Sequence, residues 1–346
     1  MTAADDDAFR TRVDAALSRF DAQRRLVLAE LGPDLDGFSD AAVEFVRGGK
    51  RLRPLFCRAG WLVAGGDDHD PRLDDAAAAL EWLQGSALVH DDLMDDSDTR
   101  RGRPSVHRDF ERQHREAGLV GDAVRHGTSV AVLLGDLMLS WCDEQFRSSG
   151  LPRTAEALPY LDLFKTEVVA GQYLDALAQT RPSVGVEEAM RVVRYKSAKY
   201  TVERPLHLGA ALAGADDALI AALTDVALPL GEAFQLRDDV LGVFGDPGVT
   251  GKPAGDDLRE GKRTVLVARA AELGSDTDRA LLAVGLGTID AVDALRDLVE
   301  RTGALAAVEA DIERLEGQAD AALDALPPGG REVMEPLLLT ATRRSR

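Results

Sequence analysis

The stretch DDAAAALEWLQGSALVHDDLMDD, residues 74–96, decides the fold. Four consecutive alanines, followed by Leu80, Trp82, Leu83, Ala87, Leu88 and Val89, give an apolar character nearly all round a helical cylinder. Such a helix lies among other helices rather than on a surface. Its end is opposite in character, because Asp91, Asp92, Asp95 and Asp96 crowd the last turn. At 3.6 residues per turn Asp91 and Asp95 stand about 40° apart and about 6 Å along the axis, so their carboxylates share a face. The macrodipole already concentrates negative potential there. Clustered carboxylates at that end need a compensating cation, and hard oxygen ligands suit Mg²⁺, which takes one or two carboxylates together with substrate phosphates. On this segment alone, a solvated acidic helix end or caps for the next segment is the better reading.

The same helical period recurs outward from this segment. Phe9, Val13, Ala16, Leu17 and Phe20 form the stripe of a helix from Phe9 to Leu31, ended by Gly32-Pro33. Leu52–Ala64, Ser129–Arg147, Thr154–Ala178, Val186–Ala213 with a kink near Pro205, and Asp216–Phe244 read as further helices. Helices return from Lys262, with breaks near Gly274, Gly287, Gly303 and Pro327-Pro328. Arg100–Gly127 reads as a polar loop with at most a short helix. Gly245–Gly261 is a Gly/Pro/Asp loop, longer than the ~12–15 residues beyond which loops are usually functional or disordered. No run of alternating β-branched residues is present, so the expected class is all-α. A prior of roughly 150 residues per domain suggests two domains, but no Ser- or Pro-rich linker divides the chain. One helical domain over 1–346 is expected, with its core at about 9–342 and a flexible 1–8.

The composition narrows the function. In 346 residues, 41 Lys+Arg against 60 Asp+Glu give a net charge of −19, and 45% of residues are hydrophobic. That hydrophobic share excludes a disordered chain. The acidity argues against wrapping nucleic acid, which needs a basic stripe. Cys57 and Cys142 are too few for a disulfide scaffold and point to a reducing compartment. No basic leader precedes an apolar run, and stretches such as Val130–Leu134 stop well short of the ~18–20 residues needed to cross a bilayer. A cytoplasmic protein without stable membrane insertion is expected.

A second acidic helix end, Gln235-Leu236-Arg237-Asp238-Asp239-Val240-Leu241-Gly242, closes another long apolar helix. Two such ends suggest facing metal sites, although Asp238 and Asp239 would equally cap the loop that follows. The lysines shift the balance. Five of the six fall beside unusual segments: GGKRLRP (48–54), YKSAKY (195–200), Gly251-Lys252-Pro253 and Gly261-Lys262-Arg263-Thr264. Glycines let the backbone approach an anion closely, and Lys and Arg neutralise phosphate oxygens. Arg100-Arg101-Gly102-Arg103 adds guanidinium groups just after the first acidic end. Each alone reads as a solvated charge. Together, clustered carboxylates and scattered cations point to a diphosphate held partly through Mg²⁺ and partly by direct contact.

The ordered set GGKRLRP, HDDLMDDSDTRRGRPSVH, LLGD, YKSAKYT, FQLRDDVLGVFGD and GKPAGDDLREGKRT resembles the trans-isoprenyl diphosphate synthases of the polyprenyl synthetase family, from about Phe9 onward. The likeness is greatest to bacterial geranylgeranyl diphosphate synthases. It implies an all-helical bundle around a deep central cavity, a homodimer, and three Mg²⁺ ions bridging an allylic diphosphate to both acidic ends. By position Asp91, Asp95 and Asp238 are the implied metal ligands, with Asp92 and Asp239 supporting. Lys50, Arg53, Gln84 and Arg101 match contacts to isopentenyl diphosphate. Arg100, Lys196, Lys252 and Lys262 match contacts to the allylic diphosphate, Ser197 stands where many members have Thr, and Gln235 lies along the reacting chain. Gly242 departs from the fuller family pattern, which has a third Asp there, and weakens the case for three carboxylate contacts on that side.

The implied chemistry is ionisation, head-to-tail condensation and elimination, with the released diphosphate as base and an apolar tunnel that keeps water from the carbocation. His90 and His107 read as packing or hydrogen-bonding residues. Small residues one turn before Asp91, namely Ser86 and Ala87, leave room for growth beyond farnesyl diphosphate, with Leu83 as the next floor. The expected product is geranylgeranyl diphosphate, made from isopentenyl diphosphate and an allylic starter. A longer or shorter product is the first alternative. A class I terpene cyclase lacks a use for GGKRLRP, and a non-catalytic synthase subunit usually loses an acidic motif that is intact here.

Overall fold

The computed structural model describes residues 3–246 and 254–342. They are helical throughout apart from connections and one two-residue ladder, and they form two compact units. The first runs to Arg58 and resumes at Asp67–Ala155, while the second contains Ala59–Gly66 and everything from Glu156.

The first unit contains α1 (Ala3–Leu31), α2 (Asp36–Val46), the start of α3 (Leu52–Val63), α4 (Pro71–Met94), α5 (Val106–Glu116) and α6 (Ala123–Ser148), and α1, α2, α5 and α6 pack on α4. The first helix begins at Ala3, upstream of the Phe9 stripe, and Asp6 is already buried against Arg58 at 3.0 Å. Residues 3–8 are therefore part of the helix. Pro71 at the first helical position and the Asp70 carboxylate, which accepts from the Arg72 N–H, start α4. Its all-round apolar surface packs on α6 and α1. Phe20, Trp82 and Trp141 cluster with centroids 5.0–6.1 Å apart, and the Trp82 indole donates to Gln145 Oε1 at 2.6 Å. A Cβ at Gly135 would meet the His90 ring at 2.1 Å, so only glycine admits this close approach of α6 to α4.

The segment expected as loop from Arg100 contains β1 (Thr99–Arg100), β2 (Arg103–Pro104) and all of α5, and α6 starts at Ala123 rather than Ser129. Helix α5 has few apolar residues, which hides it from a hydrophobic-period reading. Arg108–Glu111, Arg112–Asp109, Arg112–Glu116 and Arg115–Glu111 pairs at i,i+3 and i,i+4 support it instead.

The second unit contains α7 (Thr154–Gln179, shared at its start), α8 (Val186–Val192), a π-helix (Val193–Glu203), α9 (Arg204–Ala213), α10 (Asp217–Phe244), α11 (Asp256–Arg259), α12 (Val265–Leu273), α13 (Asp276–Gly285), α14 (Val292–Arg301), α15 (Ala304–Ala322) and α16 (Gly330–Thr342). Leu236, Val240, Val243, Leu258, Val265, Leu295 and Ile312 belong to its core. The kink expected at Pro205 is instead the preceding π-helix; Pro205 sits harmlessly in the first turn of α9. Helix α10 is long and apolar enough to cross a membrane by length and composition, and half of its apolar window is buried.

Candidate functional site

The first acidic end forms as the sequence implies. Asp91 lies in the last turn of α4 and Asp95 is its C-cap, with the Asp95 N–H bonded to the Asp91 carbonyl at 2.9 Å. Both side chains are partly exposed, whereas Asp92 is 1% exposed. Arg100 reaches back from β1 and donates to Asp92 Oδ1 through Nε at 2.8 Å and through Nη2, which also lies 3.9 Å from Asp91. Asp92 thus orients Arg100 beside Asp91 rather than facing solvent. Gln84 and Asp91 are seven residues apart, so they share a face of α4 to within about 20°. Ala87, one turn before Asp91, is on that face and partly exposed; Ser86 is about 140° round and buried, as is Leu83.

The GGKRLRP segment is shaped by backbone and by one residue that pattern-matching passed over. Gly48, Gly49 and Arg51 all have positive φ, and Lys50 between them is exposed while Arg53 is partly buried. Arg51 is the anchor. Its guanidinium, 4% exposed, donates to Asp14 Oδ1 at 2.9 and 2.6 Å, to Glu81 Oε2 at 2.5 Å and to the Val46 carbonyl at 2.8 Å. The Arg101 guanidinium lies about 3.5 Å from where a Gly49 Cβ would stand, so the hairpin and the glycine loop meet. Burial pushes the Arg101 pKa down, Glu81 opposes this, and Arg51 and Arg100 add to it. Lys50, Arg101, Arg100 and the Asp91 face of α4 are therefore parts of one basic-and-acidic rim in this unit.

The second acidic end closes α10. Asp238 is partly exposed, and Asp239 is buried and accepts from Gln235 Nε2 at 2.7 Å. Burial, reinforced by Asp257 and Asp238, raises the Asp239 pKa well above the ordinary carboxylate range, with Gln235 and Lys262 opposing. The departure at Gly242 has a spatial explanation. A Cβ there would meet Asp257 Oδ2 at 2.1 Å, so the carboxylate of Asp257 lies against the bare backbone of α10. Asp257 thus places a third carboxylate beside this helix end. The sequence reading missed it because Asp257 lies fifteen positions downstream, beyond any helical spacing. Lys262 Nζ pairs with Glu260 at 2.7 Å and Asp257 at 3.4 Å.

Lys196 and Ser197 lie in the π-helix, and Lys196 Nζ donates to Asp175 Oδ2 at 2.6 Å. This segment is gripped from both sides. A Cβ at Gly171 of α7 would strike the Lys196 backbone N at 2.4 Å, and one at Gly231 of α10 would strike Ala198 Cα at 2.7 Å. Beyond it a buried network holds Glu167, Lys199, Glu203, Arg204 and His207. His207, pushed down to about 3 by burial and by Arg204 and Lys199, is neutral, accepting from Arg204 and donating to Thr224 Oγ1 at 3.0 Å. Lys252 lies outside the described residues. His90 Nε2 donates to the Val132 carbonyl at 3.2 Å and His107 is buried beside Ser105, so both serve packing.

Among the described residues no three potential ligating side chains converge into a ready-made metal cage. Mg²⁺ keeps waters and phosphate oxygens in its shell and takes only one or two carboxylates. The donor set is entirely hard oxygen, and the partly exposed Asp91, Asp95 and Asp238 are the groups able to reach it.

A curated short chain isoprenyl diphosphate synthase of Methanothermobacter thermautotrophicus is 35% identical over 260 residues, 74% of each chain. A geranylgeranyl diphosphate synthase of Mycobacterium tuberculosis is 37% identical over 68% of this chain and 62% of its own. The crystal structure of a geranylgeranyl pyrophosphate synthase from Corynebacterium glutamicum, complexed with isoprenyl diphosphate and magnesium, matches with a TM-score of 0.91 and 41% identity over 98% of this chain and 99% of that one. The family model described as polyprenyl synthetase matches residues 36–301, from α2 through both acidic helix ends to α14. The chain therefore belongs to the polyprenyl synthetase family and is a prenyltransferase.

Proposed function

We propose that the protein condenses isopentenyl diphosphate head to tail with an allylic prenyl diphosphate, the two units together making one polyprenyl synthetase domain. The observation that carries this reading is the pairing of each acidic helix end with its own cations: Asp91 with Arg100 in one unit, and Asp239 and Asp257 with Lys262 in the other.

Asp91, Asp95 and Asp238 would hold Mg²⁺, three ions per active site. When bound, Mg²⁺ supplies Lewis-acid neutralisation of the charge that develops on a departing diphosphate. Arg100, Lys196, Lys252 and Lys262 grip the allylic diphosphate, and Asp92, Asp175 and Glu260 aim three of those cations. Lys50, Arg53, Gln84 and Arg101 hold isopentenyl diphosphate, with Arg51 keeping the glycine loop in shape. Ser197, where many members have Thr, contacts substrate, Gln235 lies along the reacting chain, and Asp239 acts through Gln235. The double bond of isopentenyl diphosphate attacks the allylic carbocation, and the proton then lost passes to the released diphosphate.

The expected product is geranylgeranyl diphosphate. Ala87 lies on the Asp91 face and Ser86, buried about 140° round from it, is small, so neither carries a side chain able to block growth of the chain; Leu83, also buried, forms the next floor. A cytoplasmic homodimer without stable membrane insertion fits these features. Val132 and Leu133 on α6 are 41% and 59% exposed, an apolar strip suited to a second copy, and half of the apolar window of α10 is buried.

The test is mass spectrometry of products made by the purified protein from isopentenyl diphosphate with dimethylallyl, geranyl or farnesyl diphosphate and Mg²⁺. A twenty-carbon prenyl diphosphate is expected. A hydrocarbon would indicate a cyclase, and inactivity of the chain alone would indicate a non-catalytic subunit.

A further inference from the structure

A cleft of about 460 Å³ opens between α2, the β1–β2 hairpin and α5, entirely within the first unit. Its rim is cationic. Arg47 and Arg103 project into it and share one carboxylate, Glu44. Arg101 is exposed, and its guanidinium stands beside the glycine loop at Gly49. Five guanidinium groups line the cleft; Arg100 is paired with Asp92, and Arg112 with Asp109 and Glu116, so the cations left to it are Arg101 and the Arg47 and Arg103 pair that shares Glu44. Its floor is apolar: Val106 is buried, and the rings of Phe45 and Phe110 are partly exposed. An isolated anion would use the rim and leave this floor wet. Burying an acyclic hydrocarbon there removes that apolar surface from water.

We propose that this cleft is a second binding site for an amphiphilic diphosphate, a prenyl diphosphate whose head sits on Arg47, Arg101 and Arg103 and whose tail covers Phe45, Val106 and Phe110. The proposal rests on the prenyl diphosphate reading of the enzyme, which supplies such a molecule as its own product. Occupancy restrains turnover. The head draws on Arg101, which also faces the glycine loop beside Lys50, and it lies against Arg100, whose other face orients on Asp92. The site therefore provides inhibition by end product, separate from competition for the allylic pocket.

The probe is geranylgeranyl S-thiolodiphosphate, which resists ionisation. Calorimetry on the full protein in EDTA suppresses Mg²⁺-bridged binding at the acidic helix ends. Binding is expected in the parent protein, with a tenfold or greater loss in both Arg47→Gln/Arg103→Gln and Phe110→Ala. Initial rates of both variants without the probe should match the parent. Inhibition by the probe should persist at saturating allylic substrate in the parent and disappear in the variants. Undiminished binding in both variants, inhibition abolished by saturating allylic substrate, or equally tight binding of inorganic pyrophosphate would each overturn the amphiphile site. If the parent makes no prenyl diphosphate, the functional reading fails instead; if it makes product and the variants bind the probe unchanged, only the second site fails. Unchanged melting temperatures verify that the variants fold.

Discussion

Restoring the third Asp of the family's fuller pattern, Gly242→Asp, should damage this enzyme. A Cβ at position 242 would lie 2.1 Å from Asp257 Oδ2 and 2.6 Å from its Cγ, so any side chain evicts the Asp257 carboxylate. The new carboxylate also joins Asp238, Asp239 and Asp257 at one helix end. At about 4 Å and an effective dielectric near 20, each like-charge pair costs about 4 kcal/mol. Lys262, 3.4 Å from Asp257, and outward movement of Asp257 relieve part of this. A residual cost of about 1.5–3 kcal/mol corresponds to a roughly 10- to 150-fold fall in rate. The assay is initial-rate kcat/KM for the allylic diphosphate, with the Mg²⁺ half-saturation concentration, across Gly242→Asp, Asp257→Ala and the double variant. Each single change should cost activity, and the double should recover to within about fivefold of the parent, because one carboxylate again stands there. Wild-type activity in Gly242→Asp, or single effects that simply multiply in the double, would refute the reasoning.

Arg51→Ala should destabilise the protein by about 3–5 kcal/mol, since it strands the nearly buried Glu81 carboxylate; denaturant unfolding measures this, and a loss under 1 kcal/mol would contradict the anchoring role. His207 is held neutral at about 3, below its unfolded value near 6.5, so the unfolded chain binds the extra proton between these values and stability falls as pH drops through that window. Going from pH 7.5 to 5.0 should cost about 2 kcal/mol through this group, and the part of the melting-temperature loss due to it should vanish in His207→Gln; an identical pH profile in the variant would contradict it. Ser86→Phe should shorten the product by at least one five-carbon unit, read by mass spectrometry, together with about 1–3 kcal/mol of overpacking cost at a buried position. An unchanged product would remove Ser86 from the length-setting set.

Much of this was legible in the sequence because the elements that matter are marked by strong local signals. The all-round apolar surface of α4 announces a central helix, and the spacing of Asp91 and Asp95 places both on one face of its end. Gly274, Gly287 and Gly303 punctuate the later helices where α12, α13 and α14 stop. What stayed hidden depends on contacts that spacing does not encode. Helix α5 rests on ion pairs rather than an apolar stripe. The π-helix is held by Gly171 and Gly231 from two other helices, so the irregularity assigned to Pro205 precedes that residue. Arg51 looks like one more cation of a basic segment until its burial on Asp14 and Glu81 is seen, and the role of Asp257 emerges only where it meets the bare backbone of Gly242.

Both acidic helix ends would hold divalent ions in contact with one diphosphate. Anomalous scattering from crystals grown with Mn²⁺ and an allylic S-thiolodiphosphate tests it most directly. The account predicts manganese peaks within bonding distance of Asp91 and Asp95 and of Asp238, all in contact with the same diphosphate. A diphosphate bound without metal at either end, or metal at one end alone, would contradict it.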